Sequence, residues 1–101
     1  MSTPLTRLLG LGLRARTVVL GVEGVRAKLH RDELRCVVLA ADAGERARDK
    51  VERLARARGV TVLAGPPAAE LGADLGRRPV QVIGVSDRAL ARGVMQACGG
   101  V

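Results

Sequence analysis

The stretch Leu20-Gly21-Val22-Glu23-Gly24-Val25-Arg26 sets a glycine, a carboxylate and a guanidinium at spacings suited to binding. It follows an apolar run and opens a helical pattern. Gly21 there lets a backbone come close to a ligand while the first N–H groups of the helix point outward. Glu23 can accept hydrogen bonds from the amino and imino edge of guanine. Arg26, one turn behind it on the same side, can hold a phosphate. The same residues have a simpler use, in which Glu23 complements the helix dipole and pairs with Arg26. Spacing alone leaves both open. A second segment, Gly76-Arg77-Arg78-Pro79-Val80, places two cations beside an apolar tip just before another apolar run. It suits either a nucleic-acid contact or a solvated loop.

Catalytic chemistry is harder to assemble. Asp42 follows the most apolar run, where α/β enzymes place reactive groups, yet no histidine, thiol or second carboxylate accompanies it. A helix-start cap beside Gly44 is the better use for it. His30 is the single histidine, so neither a zinc finger nor a hydrolase triad is easily built, and it reads as a solvated residue at a helix end. Cys36 lies in an apolar run and reads as inert core, while Cys98 reads as half-buried. Two cysteines make no disulfide framework of the kind small secreted domains use. Gly10-Leu11-Gly12 lacks the third glycine of a dinucleotide loop and sits inside a helical pattern, and no run resembles a Walker phosphate loop.

The elements that must position these residues alternate helix and strand. Thr3 caps a first helix with Pro4 at its opening position, and Leu5, Leu8, Leu9 and Leu13 form its apolar stripe. Gly10 and Gly12 weaken that helix or admit a close neighbour. Thr17–Leu20 reads as a strand, and Val22, Val25 and Leu29 fall on one side of the helix after Gly21. Leu34–Ala41, apolar on both faces, reads as a central parallel strand. Gly44–Arg58 reads as a helix with Ala47, Val51, Leu54 and Ala55 inward. Asp49–Arg53 and Glu52–Arg56 would be pairs four apart on it, and Gly59 its left-handed cap. Val60–Ala64 is a third strand, Ala68–Leu75 a short helix ended by Gly76, and Val80–Val85 a fourth strand. Ser86 would cap a last helix with Leu90, Val94 and Cys98 inward. The expected architecture is a three-layer α/β/α sandwich around a small mixed sheet of about four strands.

The 101 residues suffice for one domain, spanning 1–101. The longest purely apolar run, Cys36–Ala41, is far too short to cross a bilayer. Leu8–Leu13 follows Arg7, is bounded by Arg14 and Arg16 and has no small-residue cleavage site, so it reads as an amphipathic helix rather than a signal core. A cytoplasmic setting is therefore expected. There is no Phe, Tyr or Trp, which excludes RNA-binding sheets and barrels that stack bases on aromatic rings. Nucleic acid would have to be read by backbone, charge and shape. The net charge is +7. Residues 1–31 carry six basic groups against Glu23 alone, and residues 75–101 carry four against Asp87 alone. The middle is nearly balanced. Should the fold bring the two basic segments together, they would form one positive face suited to a phosphate backbone. Fifteen of the seventeen basic residues are Arg, a composition that a GC-rich genome favours, but composition does not explain their clustering.

The order of "LLGLGLRARTVVLGVEGVRAKL", "RCVVLAADA", "ELGADLG" and "VQVIGVSD" resembles the kink-turn-binding ribosomal protein family, the L-seven-Ae group, and within it the small bacterial YlxQ-type branch. The resemblance runs from Leu8 to Arg92. It implies an α/β/α sandwich and a non-enzymatic, ribosome- or translation-associated RNA-binding protein without a cofactor. Its partner would be structured RNA, with ribosomal RNA one such target; some relatives use the same fold to bind proteins. It places RNA contacts at the start of the second helix and in the loop before the last strand. In this sequence those are Gly21, Val22, Glu23 and Arg26, then Arg77, Arg78, Pro79 and Val80. Gly21 and Glu23 match the family's Gly-Asn-Glu turn, Arg26 stands where it has Lys, and Val22 stands in place of Asn. Leu20 replaces a residue that is often basic, and Arg77–Val80 is more basic than the family's loop.

Overall fold

The computed structural model describes residues 3–98. Helix α1 spans Pro4–Arg14. The Thr3 side chain accepts from the Thr6 N–H at 3.2 Å, and the Thr6 hydroxyl accepts from the Thr3 N–H at 2.8 Å, so the two threonines form a reciprocal cap. Strand β1 is Val18–Leu20, α2 is Val22–His30, β2 is Cys36–Leu39 and α3 is Glu45–Ala57. Strand β3 is Thr61–Ala64, α4 is Ala68–Asp74, β4 is Val82–Val85 and α5 is Arg88–Ala97.

The strands lie in the order β1-β4-β2-β3. Strand β4 is antiparallel to both β1 and β2, and β2 is parallel to β3. The sheet is therefore mixed, as expected. β2 is central and wholly buried, although only its β3 side is parallel. Its ladder is shorter than the apolar run around it, because Leu34 and Ala40 bury their side chains beyond the ends of the strand.

Side-chain alternation along the strands divides the core in two. Leu5, Leu9, Cys36, Val38, Ile83 and Val94 pack together on the face covered by α1, α4 and α5. Val25, Leu29, Val37, Leu39, Val51 and Val82 pack on the other, under α2 and α3. The result is a three-layer α/β/α sandwich. Gly12 is the close-approach residue of α1, since a Cβ there would collide with Leu90 and Val18 side chains.

Three local expectations need correction. The cap of α5 is Asp87, whose carboxylate accepts from the Leu90 N–H at 2.7 Å. Ser86 instead continues the β1–β4 pairing, and both its N–H and its hydroxyl donate to the Thr17 carbonyl. Asp42 does cap a helix start, but that of α4 rather than α3: its Oδ1 accepts from the Ala68 N–H at 2.8 Å. On α3, Glu52–Arg56 closes to 3.8 Å, whereas Asp49 and Arg53 make no ion pair. The closing Gly99-Gly100-Val101 segment lies outside the described residues.

Strand direction fixes which loops meet. β1, β2 and β3 run the same way and β4 runs against them. One end of the sheet therefore gathers Gly21 after β1, Ala40–Gly44 after β2, Gly65–Pro67 after β3, and the segment leading into β4. In α/β sheets, ligands bind outside the carboxyl ends of the parallel strands, and this is that end.

Candidate functional site

At this end Leu20, Gly21 and Val22 face Arg77, Arg78, Pro79, Val80 and Gln81 across a shallow depression of about 360 Å³. Two segments more than fifty residues apart in the chain thus form a single surface. Gly21 turns the corner between β1 and α2. Its N–H donates to the Val82 carbonyl at 2.9 Å, extending the β1–β4 ladder, and its carbonyl accepts from Val25 at 3.1 Å as the first bond of α2. Both roles meet at φ +94°, in a region that glycine enters without a Cβ penalty. No side chain caps α2, so the N–H groups of its first turn remain available at the rim.

The opposite wall is held by α4. The Arg77 N–H donates to the Gly72 carbonyl at 2.7 Å and the Val80 N–H to the Ala68 carbonyl at 3.0 Å. Gly72 is buried against the loop itself. A Cβ built there would fall 2.6 Å from the Arg78 carbonyl carbon and 2.9 Å from Pro79 Cα. Between those anchors Arg77, Arg78 and Pro79 are exposed, and neither guanidinium has a hydrogen-bond or ion-pair partner among the described residues. Val80 is buried and serves as the floor.

The other two expected residues stand apart. Glu23 is exposed in the first turn of α2 and makes no ion pair among the described residues, so the pairing with Arg26 that spacing left open does not form. Arg26 turns toward α3, where its Nη1 donates to the Lys50 carbonyl at 2.8 Å. It lines a groove with Lys50 and Arg53 between α2 and α3, not the depression with Arg77 and Arg78.

Two supporting residues, Gln81 and Gly72, escaped the sequence reading, and a third, Asp42, was expected to cap a different helix. Gln81 Oε1 accepts from the Gly44 N–H at 2.9 Å and ties the start of α3 to the start of β4. A lone glutamine in an apolar run was the signal for it. Asp42 fixes the start of α4, and Gly72 sets the approach of the loop. Neither pairing has a spacing rule, because each joins separate segments.

Burial argues against a reactive thiol. Desolvation pushes the Cys36 thiol up to about 12, with a smaller contribution from Cys98, and burial also raises Cys98. Among the described residues no group of three or more His, Cys, Asp or Glu could hold a metal ion. No helix among them is long and apolar enough to cross a membrane.

An α/β/α sandwich whose β1–α2 corner and pre-β4 loop form one exposed, partly basic surface is the class of molecule these features define. Residues 5–94 match the Ribosomal protein L7Ae/L30e/S12e/Gadd45 family, and the chain belongs to it. It is similar to the structure of a protein of unknown function from Bacillus halodurans C, with 27% identity and a TM-score of 0.87 over 98% of this chain and 99% of that one. It also shares its fold with a 15.5kD RNA binding protein of Giardia lamblia, at 20% identity and a TM-score of 0.75, over 97% of this chain and 84% of that one. No curated protein matches it by sequence.

Proposed function

We propose that residues 1–101 form a single RNA-binding domain. It docks a kink-turn or related internal loop of structured RNA in the depression between the start of α2 and the Arg77–Val80 loop. The observation that carries this reading is the convergence of Gly21 and Val22 with Arg77, Arg78, Pro79 and Val80 on one surface. Family membership supports it, as does the RNA binding stated for the Giardia lamblia protein of the same fold. The protein acts by binding and not by catalysis, in the cytoplasm, on ribosomal or other translation-associated RNA.

Each group has a role in this reading. Arg77 and Arg78, unpaired among the described residues, take phosphates flanking the loop. First-turn N–H groups of α2 face an anion, and Glu23 accepts from a guanine edge. Arg26, engaged with the Lys50 carbonyl through one N–H, keeps its other donors for a phosphate at the margin. A protein-interaction module would instead need an exposed apolar surface at Val22, Pro79 and Val80. Of these only Pro79 is exposed, which favours RNA.

Titrating wild type, Glu23→Ala and Val22→Asn against a kink-turn RNA and a matched plain duplex tests the reading. Loss of Glu23 should cost about 1–3 kcal/mol on the kink-turn, the scale of one good base contact, and little on the duplex. Val22→Asn should tighten the kink-turn alone. Equal effects of Glu23→Ala on both RNAs would reduce Glu23 to a helix-dipole residue and remove loop-specific recognition.

A further inference from the structure

The positive excess does not gather at the depression; much of it lies at the opposite end of the sheet. There Val18, Val85 and Cys36 form one rung across β1, β4 and β2. Arg16 stands two residues before Val18, Arg35 one before Cys36, and Arg88 three after Val85. Strands about 4.8 Å apart bring these backbones within about 15 Å of one another. Cross-links hold them there, with Arg35 N–H to Val85 O at 2.7 Å and Ser86 N–H to Thr17 O at 2.9 Å. Arg14 in the last turn of α1 and Arg31 at the end of α2 flank the group.

All five arginines are exposed and none makes an ion pair or donates a side-chain hydrogen bond among the described residues. The acids of the same connections are already committed. Asp32 accepts from Arg58 at 3.1 Å and Asp87 caps α5. Glu33 pairs with Lys28 at 2.9 Å, and the hydrogen bond from Lys28 holds its carboxyl below the usual range. Helix dipoles account for Arg14, Arg16 and Arg31, which sit at helix C-termini. They do not account for the other two. Arg88 opens α5, where the dipole repels a cation, and Arg35 is next to a strand. Arg16 holds φ +63° as the left-handed residue that closes α1, its N–H donating to the Leu13 carbonyl and the Thr17 N–H to the Gly12 carbonyl. That closure leaves its guanidinium exposed beside them.

We infer that this end is a second RNA-binding face, one that grips the phosphate backbone of a duplex through Arg16, Arg35 and Arg88 without reading sequence. The two faces lie at opposite ends of the sheet in a molecule measuring 34 × 28 × 26 Å. One protein can therefore hold an internal loop at one end and a helix at the other. The inference goes beyond the loop-binding proposal and stands on different residues.

The test uses a short kink-turn RNA on a solid support, saturated with protein, to which a labelled 20-base-pair plain RNA duplex is added. Wild-type protein should capture the duplex. Arg16→Gly, Arg35→Gln and Arg88→Gln combined should saturate the support equally but capture little; all three sites are exposed, and glycine suits the left-handed position. Replacing the same three with Lys should retain capture, because phosphate attraction needs charge rather than a fork. In solution the triple neutral variant should lower the slope of log K against log salt by about 2.7, so the wild-type advantage on duplex shrinks about 40-fold between 50 and 200 mM salt. Undiminished capture or an unchanged slope for the neutral variant overturns the second face. So does wild-type protein that holds the kink-turn and captures no duplex. Failure to saturate the support at all would strike the loop-binding reading instead, and the duplex slope would still judge this one.

Discussion

Gly72 and Gly10 make a matched pair in which the same substitution should have opposite signs. Both are helical glycines at ordinary negative φ, so alanine should gain roughly 1 kcal/mol of helix propensity at either. At Gly10 the nearest outside heavy atom to a new Cβ is Leu75 Cδ2 at 4.0 Å, an ordinary contact. Gly10→Ala should therefore stabilise the protein by about 0.5–1 kcal/mol. At Gly72 the Cβ would lie 2.6 Å from the Arg78 carbonyl carbon and 2.9 Å from Pro79 Cα. Carbon atoms rest about 3.5–4 Å apart, so the loop must retreat by about 1 Å. That retreat strains both of its anchors, Arg77 N–H to Gly72 O and Val80 N–H to Ala68 O, each worth about 1 kcal/mol. Adding overpacking of about 1–3 kcal/mol and subtracting the propensity gain leaves a net loss of about 1–3 kcal/mol. In thermal melts followed by circular dichroism, Gly72→Ala should lower Tm by roughly 5–20 °C, while Gly10→Ala should raise it by a few degrees. At temperatures where Gly72→Ala is still folded, its affinity for a kink-turn should fall, since Arg77 and Arg78 have moved. A Gly72→Ala protein that melts at or above the wild-type temperature would show that contact with α4 does not fix the loop.

Asp42→Ala should remove the cap on α4 and cost about 0.5–2 kcal/mol, while Asp42→Asn, which keeps an acceptor, should cost less; urea denaturation measures both. Because α4 carries the loop, Asp42→Ala should also weaken RNA binding more than Asp42→Asn. The Cys36 thiol, pushed up to about 12 by desolvation, stays protonated in the folded state at a pH where the unfolded thiol ionises. Its contribution is thus complete below about pH 9 and declines as pH rises toward 12, by about 1.4 kcal/mol per pH unit. The chain has no Tyr and only Lys28 and Lys50 as lysines, so Cys36→Ala should visibly flatten this alkaline decline.

Elements governed by local rules were legible in the sequence. Thr3-Pro4 marks a helix start, Gly59 and Gly76 sit at φ +69° where helices end, and Val37, Val38 and Leu39 belong to a buried strand, all as composition indicates. Both walls of the depression were legible too, because a glycine after a strand and an arginine pair before one are local signals. What was not legible depends on side chains that cross between segments. Ser86 and Asp87 are both acceptable caps by type, and the choice falls to the sheet, since Thr17 takes Ser86 as a ladder partner. Arg26 sits on the expected helix, yet the Lys50 carbonyl of a neighbouring helix decides where its guanidinium goes. Nothing within seven residues of Asp42 announces that it will cap Ala68.

Charge shows the same limit more sharply. The basic N-terminal and C-terminal segments do meet, through β1–β4 pairing and the antiparallel packing of α1 on α5. Strand direction then decides where their cations point. Helices α1, α2 and α3 all end at the sheet end opposite the depression, and Arg14, Lys28 and Arg56 occupy their last turns. Cations there stabilise helix ends, so part of the positive charge at that end follows from topology and would exist without any ligand. The depression receives helix starts instead, with uncapped N–H groups at α2, and can attract anions while carrying only Arg77 and Arg78 as its own cations. The residues that helix ends leave unexplained are Arg35 and Arg88. With Arg16, which closes α1, they have no acidic partner among the described residues, which makes them the three whose removal separates a binding surface from a by-product of the fold.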